Sequence, residues 1–247
     1  MKAQSASMTL YHFEPGHHKE VCMWHDADHK PEVVGTMPHV FISQRWVAPP
    51  DWMRLRGPTD LPHQGGEYVN LYWSSGTVDE MQRDFDYLGK RLEAVGRMAP
   101  MKYIQRTWGG RLRPVSVQTP SGLPHSGEAI TGSIVTTGLM VVVGEVTDAS
   151  KRADYLRWHE HEHIPLILET GLFAAAAKLL PDDPNQYVAL YYTDDPDPKR
   201  VYAEFQRVAA SWRTGGKDFP DADSVRKRIM GAMYRPSMGP VSYTHLR

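Results

Sequence analysis

An eight-residue segment of this chain occurs twice, 134 residues apart. The first copy is Trp24-His25-Asp26-Ala27-Asp28-His29-Lys30-Pro31 and the second is Trp158-His159-Glu160-His161-Glu162-His163-Ile164-Pro165. Six of the eight positions agree in kind: Trp, His, two carboxylates, His and Pro. The same offset aligns residues 40–46 with 174–180, and an offset of 119 aligns the segment 68–72 with 187–191. We infer a tandem duplication, with about fifteen additional residues in the first copy.

Alternation and helical periodicity predict one order of elements, β-α-β-β-α-β, in the first copy and nearly the same order in the second. In the first copy the predicted elements are a strand at 9–13, a helix at 18–34, strands at 40–47 and 67–73, a helix at 78–95 and a strand at 102–108. In the second copy they are a strand at 138–146, a helix at 150–169, strands at 173–180 and 186–193, a helix at 198–212 and a later helix at 223–233. This order is that of a ferredoxin-like unit, so the predicted fold class is α+β.

The duplication also predicts the domain organisation. The first repeat is residues 1–126, with an insertion at 52–66 that is interpreted as a lid or wall, and a linker at 111–126 rich in Pro, Ser, Gly and Thr. The second repeat is residues 127–240. Residues 241–247 resemble the translated adapter that often ends truncated gene fragments, which leaves two interpretations open, a non-native tail or a terminal strand.

Each predicted unit has an antiparallel sheet with helices on one face and an apolar face on the other, and that second face needs a cover. Two such sheets in one chain can cover each other. We therefore expect two tandem ferredoxin-like units that form a pseudo-twofold dimeric α+β barrel, with a cavity between the sheets as a small-molecule site.

The charge balance excludes several other classes of function. The chain has 247 residues, a formal net charge of −1 and a pI near 6.9, which gives no electrostatic footprint for nucleic acid. The longest apolar run, at residues 138–146, is far short of the roughly 20 residues that span a bilayer, and the first eight residues lack the apolar core of a signal peptide. The lone Cys22 agrees with a reducing compartment, so we expect a soluble, cytoplasmic protein.

The second copy resembles the EthD-like branch of the dimeric α+β barrel superfamily. The residues that carry the resemblance are Trp158, Glu162, His163 and Pro165, followed by the turn Thr170-Gly171-Leu172-Phe173. Their equivalents in the first copy are Trp24, Asp28, His29 and Pro31. The chain departs from the family pattern where His159 replaces a common aromatic residue and Thr170 replaces Pro, and the first copy departs further at Lys30 and at Met37-Pro38-His39.

The resemblance implies the barrel fold. For the activity, it implies only that the reaction belongs to the broad range of reactions found in the superfamily. The superfamily includes lactone isomerases, polyketide cyclases, dehydratases, cofactor-free monooxygenases and haem-degrading proteins. No single reaction or substrate follows from membership of such a group.

The repeated motif predicts acid–base chemistry in the second copy. On a helix, residues four apart share one face, so His159 lies over His163 and Glu162 flanks His163. A neutral imidazole is the natural acid or base near pH 7, and a neighbouring carboxylate can fix its tautomer. We predict His163, Glu162 and His159 as catalytic residues. The alternative is that His163 makes a structural hydrogen bond and Trp158 belongs to the core.

Aromatic and histidine side chains near the motif are the predicted substrate-binding residues. Tyrosines at alternate positions of a strand share one face of the sheet, where they line a cavity or pack beneath the helices. The predicted set is Trp158, Tyr187, Tyr191, Tyr68, Tyr72, His29 and His25.

The predicted function is a small-molecule enzyme with no organic cofactor and no assigned metal ligand. It is a lyase, isomerase, dehydratase or cyclase that acts on an apolar, oxygenated, aromatic or polyketide-like molecule, and its further partner is a second copy in a symmetric homodimer. Two alternatives remain. Because His159-Glu160-His161-Glu162-His163 matches H-E-x-x-H, one is an enzyme that uses a transition metal, and the other is a non-catalytic ligand-binding barrel.

Overall fold

The computed structural model describes residues 3–120 and 136–237 of the chain. The predicted boundary between the repeats at 126/127 and the segment 241–247 lie outside the described residues. In the first half the elements are β1 (Ser5–Phe13), α1 (His18–Met23), a π-helical turn (Trp24–His29), α2 (Lys30–Thr36), β2 (Val40–Val47), α3 (Pro50–Met53), a 3₁₀ turn (Pro62–Gly65), β3 (Tyr68–Ser74), α4 (Val78–Ala94), a 3₁₀ turn (Met101–Tyr103) and β4 (Ile104–Gln118).

The second half has a closely similar succession of elements. They are β5 (Gly138–Val146), a 3₁₀ turn (Ala149–Lys151), α5 (Arg152–Trp158), a π-helical turn (His159–His163), α6 (Ile164–Leu168), β6 (Ala175–Pro181), β7 (Gln186–Thr193), α7 (Pro198–Thr214), α8 (Ala222–Val225) and β8 (Arg226–Pro236). Of the helices in the described ranges, none is both long enough and apolar enough to cross a bilayer.

The eight strands form a closed antiparallel barrel in the order β1-β3-β2-β8-β5-β7-β6-β4. One half of the chain supplies four adjacent strands, β4-β1-β3-β2, and the other half supplies β8-β5-β7-β6. The two sets join through β2 and β8, where Trp46 faces Pro236 and Val47 faces Arg235, and through a longer pairing of β4 with β6. The predicted α+β class and the closed barrel are confirmed.

The two sets of strands agree in register as well as in order. Tyr11 faces Tyr68 in the first half, and Gly144 faces Tyr187 in the second. A bulge interrupts β1–β4 pairing between Leu10 and Tyr11, and a bulge interrupts β5–β8 pairing at the matching place, between Val143 and Gly144. Bulges re-aim neighbouring side chains, so both halves bend their sheet at the same point.

The strand β2 carries one residue more than β6, the strand at the same place in the second half. Arg45 faces Asn70 and Lys178 faces Ala189, so these strands correspond at an offset of 133 rather than the predicted 134. A one-residue slip would turn every side chain to the opposite face of the sheet. A bulge between Val40 and Ile42 absorbs the additional residue and keeps the faces in place.

The interior of the barrel is a packed apolar core. Alternate residues of each strand point inward, which the fully buried Met8, Leu71, Val141 and Leu190 illustrate, and Trp73 and Tyr192 add large rings. The expectation of a substrate cavity between the two sheets is therefore wrong. The ligand-sized cavities described below lie on the outer faces of the sheets, beneath the helices.

Two predicted elements differ from the structure. The helix predicted at 223–233 is the short α8 followed by the strand β8, because a short apolar run is ambiguous between helix and strand and its pairing with β5 decides. The first part of the linker predicted at 111–126 is strand, since β4 extends to Gln118 and pairs with β6. This pairing closes the barrel and leaves no open edge there.

A long helix covers the outer face of each set of strands. α4 begins at the N-cap Thr77, whose hydroxyl accepts from the backbone N–H of Glu80 in a capping box, and it buries Met81, Leu88 and Leu92 against the sheet. α7 begins at the N-cap Asp197 and buries Val201, Tyr202 and Trp212 in the same way. Between each long helix and its sheet lies the repeated His motif.

Candidate functional site

Each copy of the motif forms a π-helical turn, Trp24–His29 in the first half and His159–His163 in the second. In a π-helix the hydrogen bond spans five residues instead of four, so residues five apart come onto one face. The ring of Trp24 accordingly stacks on His29 at a centroid distance of 4.6 Å, and the ring of Trp158 stacks on His163 at 4.8 Å. The prediction from α-helical spacing brought the two His residues together but not this Trp–His pair. Single π turns occur often at functional sites.

Each half of the chain has a cavity beside its motif, here called the first and the second cavity after the half that forms it. The second cavity, of about 210 Å³, lies between α7 and the outer face of β5, β7 and β8. It brings together four of the predicted site residues, which are His159, His163, Tyr187 and Tyr191. It also contains residues that the sequence did not single out, which are Phe205, Trp212, Asp218, Arg226 and Arg228. Arg226 and Arg228 were missed because β8 was predicted as a helix, and a helix would not have placed these two residues together on one side.

His163 and His159 are neutral imidazoles at pH 7. Burial lowers the pKa of His163 to about 4, with Arg226 acting in the same direction and Asp218 against it. Burial also holds the pKa of His159 well below its usual range, and the neighbouring His163 adds to that effect. Within the described ranges, Nδ1 of each ring is buried and has no hydrogen-bond partner. A neutral imidazole with an uncommitted nitrogen can accept a proton from a ligand.

A chain of polar contacts runs along the wall of the second cavity. The Arg226 guanidinium donates to Asp218 at 2.7 Å and to the Tyr155 hydroxyl at 3.2 Å, and that hydroxyl lies 2.8 Å from the hydroxyl of Tyr187. The burial of both phenols raises their pKa values, so both stay protonated. An Arg and two phenols beside a neutral His provide hydrogen-bond donors toward a negatively charged oxygen.

Glu162 does not line the second cavity. It is exposed and lies in a shallow surface depression with Asp154, Arg157 and Trp158. The carboxylate that acts on the pKa of His163 is that of Asp218. Trp158 is buried between His163 and Phe219, and its ring stacks on the His163 imidazole without lining the cavity itself.

The first cavity, of about 350 Å³, occupies the matching place between α4 and the outer face of β1, β3 and β4. It brings together the predicted residues His25, His29 and Tyr72, with Trp24 as the counterpart of Trp158. Burial lowers the pKa of both His25 and His29 to about 4. Nε2 of His25 lies 3.0 Å from the Tyr72 hydroxyl, whereas Nδ1 of His29 is buried without a hydrogen-bond partner in the described structure.

Tyr68 lies outside this cavity and packs beneath α1. Its ring stacks on Phe13 at 4.3 Å and its hydroxyl lies 3.1 Å from Nδ1 of His18. For Tyr68, packing beneath the helices is therefore the better of the two predicted roles.

The first carboxylate of each motif copy pairs with a buried cation from the neighbouring strand. Asp26 accepts from Arg45, and Glu160 accepts from the buried Lys178 at 3.2 Å. Lys178 also donates to the backbone oxygen of Leu156 in the preceding helix. These two ion pairs fasten the π turns to the sheet, so their role is structural.

Within residues 3–120 and 136–237, no group of three or more His, Cys, Asp and Glu side chains comes together as a metal-binding cluster. The two imidazoles of the H-E-x-x-H segment do lie close, with ring centroids 5.2 Å apart and planes inclined by 41°.

No protein-family model matches this chain, and no curated protein matches it. Solved structures do share its fold. An anthrone oxidase-like protein superposes with a TM-score of 0.56 at 9% identity, over 96% of this chain and 92% of that chain. A mutant chlorite dismutase from Candidatus Nitrospira defluvii, in complex with cyanide, superposes with a TM-score of 0.56 at 10% identity, over 100% of this chain and 97% of that chain. A dye-decolorizing peroxidase from Bacteroides thetaiotaomicron superposes with a TM-score of 0.54 at 7% identity, over 100% of this chain and 96% of that chain.

The likeness to these neighbours is one of fold, and it agrees with the predicted α+β barrel. The neighbours correct one prediction. The expectation of a site without an organic cofactor is wrong for this fold, because the neighbours include haem-dependent chlorite dismutases and dye-decolorizing peroxidases.

A histidine that holds haem iron offers one nitrogen to the metal and usually donates the other N–H to a carboxylate, carbonyl or water. Within the described residues, no motif imidazole combines a carboxylate or carbonyl partner on one nitrogen with a second nitrogen left open for iron. Both nitrogens of His25 are engaged, one at 3.3 Å from Asp26 and one at 3.0 Å from Tyr72. His29, His159 and His163 each have a buried Nδ1 that lacks an orienting partner among the described residues.

Proposed function

We propose that this protein is an enzyme that transfers a proton on a small, oxygenated ring compound in the second cavity. His163 is the base, with His159 beside it, and the reaction is a lyase, isomerase, dehydratase or cyclase step. The observation that carries the proposal is the neutral, half-buried imidazole of His163 in a cavity wall that also contains Arg226 and the phenols of Tyr187 and Tyr191.

The proposed roles follow from charge. His163 takes a proton from a carbon next to a carbonyl group, and Asp218 favours the imidazolium that forms because its carboxylate raises the pKa of His163. The carbonyl oxygen then gains negative charge, which Arg226 and the Tyr187 hydroxyl are placed to stabilise. Asp218 thus takes the part that was predicted for Glu162, whose side chain is exposed outside the cavity.

The lining favours a substrate that carries a negative charge. Four cations line the second cavity, Arg213, Lys217, Arg226 and Arg228, against two carboxylates, Asp218 and Asp223. Phe205 and Trp212 provide flat apolar surface on α7. An aromatic or polyketide-like acid matches this combination better than a wholly apolar molecule.

We also propose that the barrel consists of two tandem ferredoxin-like units of EthD-like type that arose by duplication, and that the chain forms a symmetric homodimer through its outer surfaces. The matching strand registers, bulges and π turns of the two halves support the duplication. Light scattering tests the dimer, and a monomer at working concentration contradicts it.

Proton abstraction can be measured before the product is known. Candidate aromatic acids, polyketide-like acids and lactones are incubated with the protein in D₂O, and mass spectrometry follows deuterium incorporation and new products. We expect His163→Ala to slow exchange by roughly 10²–10⁴-fold while circular dichroism stays unchanged. The matched control is His29→Ala, the same position of the first copy, which should have a small effect.

Three results contradict the proposal. Equal losses from both variants indicate a shared site or two sites, and full exchange in a folded His163→Ala protein removes His163 from the chemistry. Ligand binding with neither exchange nor product favours the alternative of a non-catalytic barrel.

A further inference from the structure

The two cavities occupy matching places, but their linings differ in charge and polarity. We propose that the first cavity is a separate binding site for a neutral, largely apolar ring compound that carries a hydroxyl group. Such a ligand differs in class from the acid proposed for the second cavity. The two sites can therefore hold different molecules at the same time.

The floor of the first cavity carries polar groups where the second has apolar ones. Thr9 faces Asn70 across β1 and β3, and in the second half the residues at this pair of positions are Val142 and Ala189. Asn70 is 5% exposed and lines the cavity beside the Tyr11 hydroxyl, which interacts with the Asn70 side chain, but Asn70 Oδ1 accepts no hydrogen bond of normal geometry within the described parts of the chain. A buried acceptor without such a bond, in a cavity wall, points to a donor that the ligand supplies. A hydroxyl group is such a donor.

The lining of the first cavity carries fewer charges than that of the second. Arg106 is the one Lys or Arg among its lining residues, and no Asp or Glu of the described chain lines it. His25 and His29 also line it, and burial keeps both uncharged at pH 7. Four cations and two carboxylates line the second cavity, so its net positive charge exceeds that of Arg106 alone, and an anion gains less in the first cavity than in the second.

The walls fit an aromatic or otherwise flat apolar molecule. Phe13, Phe85, Leu88, Leu92 and Ile104 surround the space, and the side chain of Leu92 is smaller than that of Trp212, the residue of α7 at the same helix position. The cavity is correspondingly larger, about 350 Å³ against about 210 Å³. Met98 and Met101 line it and are 46% and 59% exposed, so flexible apolar side chains stand where a ligand enters.

Gly89 allows the first cavity to be filled without touching the second. It is the twelfth residue of α4, it lines the cavity, and a Cβ added there meets no described heavy atom within 4 Å outside its own helix. Gly89→Leu also improves helix propensity, so the variant should fold. Ala209 is the twelfth residue of α7 and lines the second cavity, which makes Ala209→Leu the matched control.

The probes are 2-naphthol, which is neutral at pH 7, and 2-naphthoate, which is an anion, and isothermal titration calorimetry measures their binding to the full chain. We expect Gly89→Leu to weaken 2-naphthol binding at least tenfold and to leave 2-naphthoate binding unchanged. Ala209→Leu should do the reverse. Asn70→Leu should weaken the binding of 2-naphthol by about tenfold and leave the binding of 2-methylnaphthalene unchanged, because the contact that is lost is a hydrogen bond to the hydroxyl group.

Two outcomes overturn the inference. One is no measurable binding of 2-naphthol by the parent protein, and the other is binding that Ala209→Leu removes and Gly89→Leu does not. Neither outcome depends on deuterium exchange in the second cavity, so this site and the proposed catalytic site are tested separately.

Discussion

The indole ring of Trp158 lies against the imidazole of His163, with a centroid distance of 4.8 Å and an angle of 30° between the planes. The two residues are five apart, so the contact depends on the π turn that contains His163. Trp24 and His29 repeat the contact in the first half at 4.6 Å and 14°. The π turn therefore sets the direction in which each second histidine faces its cavity.

Deleting one exposed residue of the second π turn should change the Trp158–His163 contact while the protein still folds. His161 is exposed in the π turn, and its deletion would place Trp158 and His163 four apart, which suits an ordinary α-helix. We expect the helix content in far-UV circular dichroism to be retained, the near-UV tryptophan signal to change, and deuterium exchange in the second cavity to fall at least tenfold.

Deletion of Ala27, the exposed residue at the same position of the first motif, is the control and should leave exchange in the second cavity near the parent rate. Full exchange after deletion of His161, in a protein that folds, shows that the π turn is not needed to place His163.

Stability should fall as the pH drops from about 6.5 to about 4. Burial lowers the pKa of His163 to about 4 in the folded protein, whereas the unfolded chain has the usual value near 6.5. Between these values the unfolded state binds more protons, so the free energy of unfolding rises with pH by up to about 1.4 kcal/mol per pH unit for this group. His163→Gln, measured by urea unfolding at several pH values, should reduce that slope; an unchanged slope contradicts the lowered pKa of His163.

The ion pair of Lys178 and Glu160 should be costly to break from one side. The Lys178 side chain is 2% exposed and lies 3.2 Å from the Glu160 carboxylate, so Glu160→Gln leaves a buried charge without its anion. We expect that single change, like Lys178→Met, to lower the free energy of unfolding by about 3 kcal/mol. The double variant should lose clearly less than the sum of the two, which a urea-unfolding double-mutant cycle measures. Strict additivity indicates that the pair is not coupled.

The repeated motif made the fold class predictable, since its two copies imply two similar units and hence two sheets that cover each other. The site was less accessible to sequence reasoning. Glu162 is next to His163 in the chain but exposed, whereas Asp218 and Arg226 reach the cavity from distant segments. Periodicity does not report such long-range contacts, and it does not distinguish a π turn from an α-helix. The sequence around Arg226 was also predicted as a helix at 223–233, because a short apolar run suits helix and strand equally well, so the strand β8 was missed.

The pH dependence of exchange should move in opposite directions when the two charges near His163 are removed. The unprotonated imidazole is the base, so exchange should rise with pH through the pKa of His163, about 4, and then level off. Arg226 lowers that pKa and Asp218 raises it. Arg226→Gln should therefore move the midpoint of the pH–rate profile to higher pH, and Asp218→Asn should move it to lower pH. Each should also reduce the plateau, because Arg226 faces the oxygen that gains charge and Asp218 holds Arg226 at 2.7 Å. Shifts of both midpoints in the same direction, or none, would mean that His163 is not the group whose ionisation controls exchange.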